Sequence, residues 1–321
     1  MDLIYTNEKY EDVGVLHDYS FDLAFGKDEN NFELKVDSKN HCCCVKGLLY
    51  IEGSEYGGIV DGIAVDSGNE ELTYNGRTWH GILETKVIEP DSGESHYIVS
   101  GEANTVIGGL IDRLGLSALF EASTENSGLM IKEYQFDRYT DGYTGIIKML
   151  ESVSGKMRLV FKNGKVTISA LPIVDYSETE QFDNDSIDIK VEKTYNPVNH
   201  LICLGKGELT ERLVVHLYSD AEGNISDTQT FYGIHEIAQT YEQSNEGEVE
   251  KLIESGTKKL QEYNSGGKID MDFESEENIY EVGDIVGAKE LVTGVFVKEK
   301  IIKKIVTIEK GVANIQYKVG D

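Results

Sequence analysis

Residues 19–36 read YSFDLAFGKDENNFELKV, two apolar alternations joined by a polar turn at 27–31. In each half, every second side chain is apolar. These apolar positions are Phe21, Leu23, Phe25, Phe32, Leu34 and Val36. Because successive side chains of a strand point to opposite faces, the pattern predicts two paired strands, each with one face in a core.

Further runs typical of strands extend this first part of the chain. They lie at 42–51, 59–65, 70–74 and 77–88. Asn75-Gly76 separates the last two runs, and this dipeptide supplies the positive φ angles of a two-residue hairpin turn. Residues 1–98 are therefore predicted to form one antiparallel β-barrel or sandwich.

The pattern changes to helical periodicity after residue 98. A first helix is predicted with Asn104 as N-cap and Gly115 as its stop, and a second from about 143 to 154 with Asp141 near its start. Asn163-Gly164 then marks a second hairpin turn. Residues 99–180 are predicted to form a small α/β domain, and the acidic stretch at 176–186 is predicted to be a linker or an exposed loop.

Strand-like runs return in the last part of the chain, residues 181–321. They lie at 187–192, 201–204, 212–218, 279–289, 294–308 and 313–319, and one helix is predicted among them at 246–263. The segments GIVDG at 58–62 and GDIVG at 283–287 each precede a predicted long hairpin, a weak sign of internal duplication. The predicted fold class is mainly β with an α+β insertion: two antiparallel β-barrels plus a small α/β domain.

Composition allows a sizeable core, since 40% of the residues are hydrophobic, and the length suggests two or three domains. The 58 acidic and 30 basic side chains give a formal charge of -28. We therefore expect no sequence-specific nucleic-acid binding, because affinity for phosphate depends on clustered Lys and Arg. An acidic surface commonly serves solubility alone, and the alternative is that the carboxylates line a lumen.

The sequence gives no sign of a membrane span or a signal peptide. No segment reaches roughly 18 to 20 consecutive apolar residues, and the start MDLIY lacks basic residues. We expect no membrane insertion and a chain that is made in the cytoplasm.

Three of the four cysteines are adjacent, at 42, 43 and 44, and Cys203 is remote. This spacing fits neither a disulfide framework nor a CxxC pair. In a strand, His41 and Cys43 would face one side while Cys42 and Cys44 face the other. The pattern therefore favours buried core cysteines over a zinc site.

A search for catalytic patterns finds no candidate. The GxSxG, HExxH, P-loop and GxGxxG motifs are absent, and the 7 histidines show no ligand spacing. Asp183 and Asp185 could serve a glycosidase, but a chain with 58 carboxylates contains such pairs by accident. We predict that the chain is not an enzyme and has no catalytic, cofactor-binding or metal-binding residues.

Two further features have alternative interpretations. Trp79, the only tryptophan, could be a sugar-stacking platform or a subunit anchor, but packing on a hairpin arm is favoured. In residues 268–277 carboxylates alternate with Ile269, Met271 and Phe273. Calcium is an alternative there, but the spacing of an EF-hand is absent, so a solvated strand face is favoured.

Several segments together resemble phage and prophage tail hub proteins, and the similarity covers nearly the whole chain. The segments are FDLAFG at 21–26, NNFEL at 30–34, GRTWHG at 76–81, VIEP at 87–90, VSGEAN at 99–104, residues 241–248 with the helix after them, SGG at 265–267 and YEVGDIVG at 280–287.

The resemblance implies the T-even-type hub fold, which is also found in siphophage tails and phage-tail-like bacteriocins. In that fold two barrels per subunit resemble tail-tube protein, and three subunits give a pseudo-six-fold ring. The implied partners are other copies of the chain, the tail tube or its initiator, the spike or distal tail protein, the baseplate or wedge proteins and the tape-measure protein. The implied location is the tail baseplate of a virion or tail-like particle, and no cofactor or catalytic residue is implied.

The ring hypothesis suggests how subunits meet. Open edge strands of each barrel would pair with neighbouring copies, and the hairpins predicted near 70–88 and 290–308 are candidates for these contacts. The surplus carboxylates would line the channel and let DNA or a tape-measure protein slide. Two other classes stay open: a tail-associated cell-wall-degrading enzyme and a peripheral receptor-binding module.

Overall fold

The paired strands predicted in residues 19–36 are present, and their apolar side chains lie inside a core. In this computed structural model, which describes residues 1–179, 181–183, 189–193, 198–221, 223–264, 267–274 and 280–320, Ser20–Gly26 pairs antiparallel with Asn31–Asp37. Phe21 lies opposite Leu34, and Leu23 lies opposite Phe32. All four side chains are 3% exposed or less, so the alternation fixes both the face and the register.

The secondary structure is dominated by strands. In chain order they are β1 (Leu3–Thr6), β2 (Asp12–Leu16), β3 (Ser20–Gly26), β4 (Asn31–Asp37), β5 (Leu48–Tyr50), β6 (Gly57–Asp66), β7 (Glu71–Thr78), β8 (Val87–Ile88), β9 (Ile98–Glu102), β10 (Phe120–Ala122), β11 (Met130–Gln135), β12 (Thr140–Asp141), β13 (Gly155–Lys162), β14 (Lys165–Pro172), β15 (Gln181–Asp183), β16 (Ile189–Lys193), β17 (His200–Leu204), β18 (Val214–Ser219), β19 (Ile225–Ser226), β20 (Ala238–Glu242), β21 (Gly267–Glu274), β22 (Ile285–Lys289), β23 (Phe296–Glu309) and β24 (Val312–Val319). The α-helices are α1 (Trp79–Glu84), α2 (Ala103–Arg113), α3 (Gly142–Glu151) and α4 (Val249–Asn264).

These elements form two units. The first consists of Met1–Ile189, Asp270–Leu291 and Lys298–Asp321, and the second of Lys190–Ile269 and Val292–Val297. The first unit is built on a large sheet with the order β21-β24-β23-β3-β4-β7-β6-β5-β1-β2, and β22 joins it beside β23. Strands from the end of the chain therefore lie beside strands from its beginning.

One face of this sheet forms an apolar core. Its largest buried side chains are Tyr19, Phe21, Phe25, Phe32, Tyr56 and Tyr74, and Val306 and Ile308 of β23 pack with them. The core therefore needs residues from both ends of the chain.

Asn75-Gly76 does not form a turn, so the hairpin predicted at this position is wrong. β7 runs straight through the dipeptide, and Gly76 lies opposite Phe32 on β4 and Val60 on β6. A Cβ atom on Gly76 would lie 1.9 Å from the carbonyl oxygen of Ile59. Glycine is present here because three strands pack too closely for a side chain. The turn between β6 and β7 lies at 67–70 instead.

Two other predicted segments also differ from the structure. Of the strand predicted at 42–51, only Leu48–Tyr50 is a strand, and His41–Cys44 has irregular backbone. The predicted linker at 176–186 contains β15, which pairs in parallel with Gly287–Lys289 of β22. Residues 184–186 lie outside the described residues.

A second core within the first unit contains helices α1, α2 and α3 and the hairpin β13–β14, whose turn at Asn163-Gly164 is confirmed. Asn163 and Gly164 have φ angles of 53° and 77°, as a primed turn requires. The second helix starts after Asp141, whose carboxylate accepts the backbone N–H of Thr144 at 2.8 Å, as predicted.

The cap of α2 differs from the prediction. Glu102 is the N-cap and accepts the backbone N–H of Thr105 at 3.0 Å. Asn104 lies in the first turn, where its side chain accepts the backbone N–H of Ala170 at 2.7 Å and so ties the helix to β14. Gly115, with a φ of 69°, follows the end of the helix as predicted.

The second unit has its own four-stranded sheet with the order β19-β18-β17-β20. Helix α4, predicted at 246–263, packs on it through Leu252 and Leu260, and Cys203 and Leu217 complete the contact. A Cβ atom on Gly256 would lie 2.4 Å from the sulfur of Cys203, so this glycine lets the helix approach the sheet.

The predicted fold class, mainly β with helical insertions, is confirmed. The division into domains at residues 98 and 180 stays a prediction, as does the internal duplication, and the two compact units follow a different division of the chain. Among the described residues, no helix is both long and apolar enough to cross a membrane.

The close approach at Gly76 can be tested by substitution. We expect Gly76→Ala to lower the free energy of unfolding by more than about 3 kcal/mol, because the new methyl group overlaps the backbone of β6 and the strands must separate. Gly109→Ala is the matched control, since in the described part of the chain no atom outside the backbone of α2 lies within 4 Å of the new Cβ, and it should raise stability by up to about 1 kcal/mol. Urea denaturation of both variants measures the difference, and equal effects would contradict the packing argument.

Candidate functional site

The closing strand β23 carries a lysine into the interior of the first unit. Lys304 is 1% exposed, and its ammonium group donates a hydrogen bond to the carboxylate of Glu55, which is 12% exposed. Burial by itself lowers the pKa of Lys304, but the carboxylate of Glu55 and the nearby Tyr56 and Glu281 raise it above its ordinary value. Lys304 therefore stays charged, and the ion pair joins β23 to the loop after β5.

Glu281 lies beside this pair and titrates near neutrality. Burial raises the pKa of its carboxyl group to about 7, and the negative charge of Glu55 adds to the shift, while Lys304 and Arg158 oppose it. The guanidinium Nε of Arg158 lies 3.5 Å from the Glu281 carboxylate. The protonation of Glu281 is therefore sensitive to pH in the physiological range.

A second buried ion pair also lies close to Glu281. The ammonium of Lys156 on β13 donates to both oxygens of Asp284 at 2.6 and 2.7 Å, and the side chains are 6% and 1% exposed. Asp284 also accepts the backbone N–H groups of Val174 and Glu281, each at 3.0 Å. This pair ties the hairpin β13–β14 to the segment that leads into β22.

We call Glu55, Lys156, Glu281, Asp284 and Lys304 the charge cluster. Glu55 and Glu281 also line a cleft of about 670 Å³. The cleft is further lined by Tyr56, Arg158, Glu274 and Ile315. Only Glu281 and Asp284 are close in sequence, and the other three members come from distant parts of the chain, so no local sequence motif contains the cluster. What the cluster does is hold elements of the first unit together.

Removal of one partner from the Lys156–Asp284 pair should be strongly destabilising. We expect Lys156→Met to lower the free energy of unfolding by about 3–5 kcal/mol, because it leaves the carboxylate of Asp284 buried without a countercharge. Lys148→Met is the matched control, since it removes an ion pair with Asp137 whose side chains are 52% and 68% exposed, and it should cost less than about 1 kcal/mol. Chemical denaturation compares the two variants, and a loss below about 1 kcal/mol for Lys156→Met would contradict the assignment.

The raised pKa of Glu281 gives a pH dependence with a definite sign. The folded state holds this proton more tightly than the unfolded state, so the stabilisation is complete below pH 4.5 and is lost as the pH rises through about 7. Relative to Glu281→Gln, the wild type should therefore lose on the order of 2–3 kcal/mol of stability across this window. Urea midpoints at several pH values measure it. Glu274→Gln removes an exposed carboxylate from the same cleft, and its curve should run parallel to that of the wild type.

The opposite face of the large sheet is polar. A row of side chains crosses it from Thr307 through Asp22 and Glu33 to Asn75. Thr307 donates a hydrogen bond to Asp22 at 2.7 Å. A groove on this face is also lined by Glu29, Asn31, Asp61 and Arg77. We call this surface the polar face, and carboxylates outnumber cations among the side chains that line its groove.

One end of the large sheet is an open edge. β2 pairs with β1 and is the last strand in the order, so within the described residues its other side has no strand partner. Val13 and Val15 on this strand are 57% and 41% exposed. An exposed apolar edge strand is suited to pairing with another strand.

A polar cluster in the second unit was missed by the sequence analysis. The Nδ1 atom of His200 lies 2.6 Å from the carboxylate of Glu236, and its Nε2 atom lies 2.8 Å from Nδ1 of His216. The ring of Tyr218 stacks on His200 at 4.4 Å. The antiparallel pairing of β17 and β18 brings the two histidines together, so only a correct strand register could have predicted the contact.

Trp79 and strand β21, which the sequence analysis singled out, are packed into the fold. Trp79 is fully buried and stacks on Phe161 with ring centroids 5.3 Å apart, so its packing role is confirmed, although it lies in α1 and not on a hairpin arm. Met271 and Phe273 of β21 are buried and Glu274 is exposed, as predicted for that strand. Asp185 lies outside the described residues.

The remaining predictions concern absences. Within the part of the chain that the structure describes, no group of three or more His, Cys, Asp or Glu side chains is arranged to hold a metal ion. The absence of catalytic, cofactor-binding and metal-binding residues stays a prediction.

The fold was compared with those of proteins of known structure, and the sequence with known families and curated proteins. No family model and no curated protein matches the sequence. Among solved structures, the chain is similar to a tail protein from Neisseria meningitidis MC58, with a TM-score of 0.55 and 12% identity over 100% of this chain and 96% of that one. It is also similar to the 43 kDa tail protein of prophage MuSo2 from Shewanella oneidensis, with a TM-score of 0.59 and 9% identity over 99% and 98% of the two chains.

A third similar structure is the prophage tail protein gp18 from Listeria monocytogenes EGD-e, with a TM-score of 0.57 and 12% identity over 99% of this chain and 94% of that one. The chain therefore has the fold of phage and prophage tail proteins. The resemblance seen in the sequence is confirmed at the level of the fold.

Proposed function

We propose that this chain is a structural subunit of a phage-type tail, a hub whose copies form a ring between the tail tube and the baseplate or spike. The observation that carries the proposal is the fold, which matches three tail proteins over nearly the whole length of both chains. On this proposal the chain is a non-enzymatic component of a virion or a tail-like particle.

The open edge of β2 is our candidate for the contact between subunits. No other described strand pairs with its outer side, which is therefore available to a strand of the neighbouring copy, and the exposed Val13 and Val15 supply apolar area to the same contact. Repetition of this pairing around an axis closes a ring without open edges, with three copies in the proposed assembly.

The two hairpins suggested from the sequence for ring contacts need correction. The long hairpin near the first one is β6–β7, at 57–78 and not 70–88, and Val65 near its tip is 66% exposed. The second hairpin suggested from the sequence lies near 290–308. There, Lys303–Glu309 of β23 pairs with β3 on one side and with β24 on the other, so both of its backbone edges are already paired. The tip of β6–β7 stays a candidate contact, and residues 303–309 do not.

The polar face is our candidate for the channel wall. Its carboxylates, Asp22 and Glu33 among them, would repel DNA and leave no cluster of cations to hold phosphates. Such a wall lets DNA or a tape-measure protein slide. The remaining proposed partners are the tail tube or its initiator, the spike or distal tail protein and the baseplate or wedge proteins.

Assembly of tails tests the ring contact. We expect the double variant Val13→Asp/Val15→Asp to fold but to be absent from assembled tails, because the two carboxylates on the edge of β2 would have to be buried against the strand of the neighbouring copy. Val214→Asp is the matched control, an exposed valine on β18 of the second unit, and it should be incorporated like the wild type. Quantitative mass spectrometry of purified particles gives the copy number of each variant.

Cryo-electron microscopy of the same particles tests the proposal as a whole. The chain is expected at the tail axis, with the polar face toward the channel. A peripheral position would contradict the hub and favour a receptor-binding module. A clearing zone on cell-wall substrate from the purified chain would favour the tail-associated enzyme instead.

A further inference from the structure

The sulfur atoms of Cys42 and Cys43 lie 3.5 Å apart. In a strand these neighbouring side chains would point to opposite faces, as the sequence analysis expected. The backbone of His41–Cys44 is irregular instead and follows a short 3-10 helix at Ser38–Asn40, and it turns both thiols toward each other.

The two thiols differ in their access to solvent. Cys43 is 4% exposed and belongs to the core of the large sheet, whereas Cys42 is half-buried at its margin. Tyr74 holds the backbone here, because its hydroxyl accepts the N–H of Cys42 at 3.3 Å and lies 2.7 Å from Nδ1 of His41. Solvent can therefore reach the thiol of Cys42, whereas the thiol of Cys43 is buried in the core.

We propose that Cys42 and Cys43 form a vicinal dithiol, a modification site that small-molecule disulfides convert to a reversible internal disulfide. The proposal rests on the local geometry and does not depend on the tail function proposed above. It assigns Cys42 as the residue attacked from solution and Cys43 as the residue that resolves the intermediate.

The chemistry proceeds by two thiol–disulfide exchanges. The thiolate of Cys42 attacks one sulfur of the small disulfide, whose S–S bond breaks and releases one small thiolate. Cys43 then loses its proton to solvent and attacks the sulfur of Cys42, which releases the second small thiol. The two protein thiols are oxidised to one disulfide, and the oxidant is reduced to two thiols.

The order of attack follows from the hydrogen bonds of the pair. Hydrogen bonds from the thiol and the backbone N–H of Cys43 favour the thiolate form of Cys42, which lowers the pKa of Cys42 although burial opposes the shift. The interaction with Cys42 and burial both raise the pKa of Cys43. Cys42 is therefore the better nucleophile of the two.

The product should be easily reduced. Consecutive Cα atoms are about 3.8 Å apart across a trans peptide bond, shorter than the roughly 4.4–6.8 Å of ordinary disulfides. Oxidation must therefore deform the backbone at 42–43. The residue next to the pair contacts β1, because the thiol of Cys44 donates to the backbone carbonyl of Thr6 at 3.5 Å.

Oxidised glutathione on the native full-length chain tests the proposal. In the wild type we expect the loss of two thiols with no glutathione retained, and a bond between Cys42 and Cys43 in peptide mass spectra. Cys43→Ser should stop at the intermediate and keep one glutathione on Cys42. Cys44→Ser is the matched control, with a half-buried thiol next to the pair, and it should behave like the wild type.

Phenylarsine oxide provides a second measurement, because it binds two adjacent thiols. Its affinity should fall about 100-fold or more in Cys42→Ser and in Cys43→Ala, since one of the two attachments is lost. Circular dichroism confirms that each variant is folded. A stable glutathione adduct on wild-type Cys42, a bond to Cys44, or reaction only after denaturation in urea would each overturn the proposal.

Discussion

The pairing of β23 with β3 is the contact on which the first unit depends. Thr307 and Asp22, which are hydrogen-bonded across this pair of strands, lie 285 residues apart in the chain. The entropy of closing so long a loop grows only slowly with its length, and it is offset by burial of apolar side chains such as Val306 and Ile308, both 0% exposed. Until β23 is in place, the core of the large sheet lacks one side.

The charge cluster makes this pairing specific. Lys304 meets Glu55 only in the observed register of β23, because a slip by one residue would turn its ammonium group to the opposite face. The same slip would place Val306 in solvent. Buried charges add little net stability when paired, but they make misaligned arrangements costly, since an unpaired charge would remain in the interior.

The parts of the fold that could be predicted from sequence are those that local patterns determine. The alternation in 19–36, the turn at Asn163-Gly164 and the cap at Asp141 act over a few residues, and the structure contains all three. Asn75-Gly76 is the same dipeptide as Asn163-Gly164, but it lies inside a strand. There Gly76 is needed because β4 and β6 pack too closely against it for a side chain. That constraint is set by the tertiary structure and is invisible in a local window.

The candidate sites were less accessible to prediction than the fold. Lys156 and Asp284, and likewise His200 and Glu236, come from separate elements, so only the topology joins them. The adjacent cysteines were visible in the sequence, but the assumption of a strand placed their sulfurs on opposite faces. An irregular backbone at 41–44 reverses that conclusion.

The burial of Trp79 gives the chain a natural optical reporter. It is the only tryptophan, and it lies in the core formed by the helices and the hairpin β13–β14. Its indole N–H has no hydrogen-bond acceptor among the described residues, and apolar side chains surround the ring, so we expect its fluorescence emission at short wavelengths. Red-shifted emission therefore signals the opening of this one core, and the second unit, which contributes no tryptophan, is silent in the same spectrum.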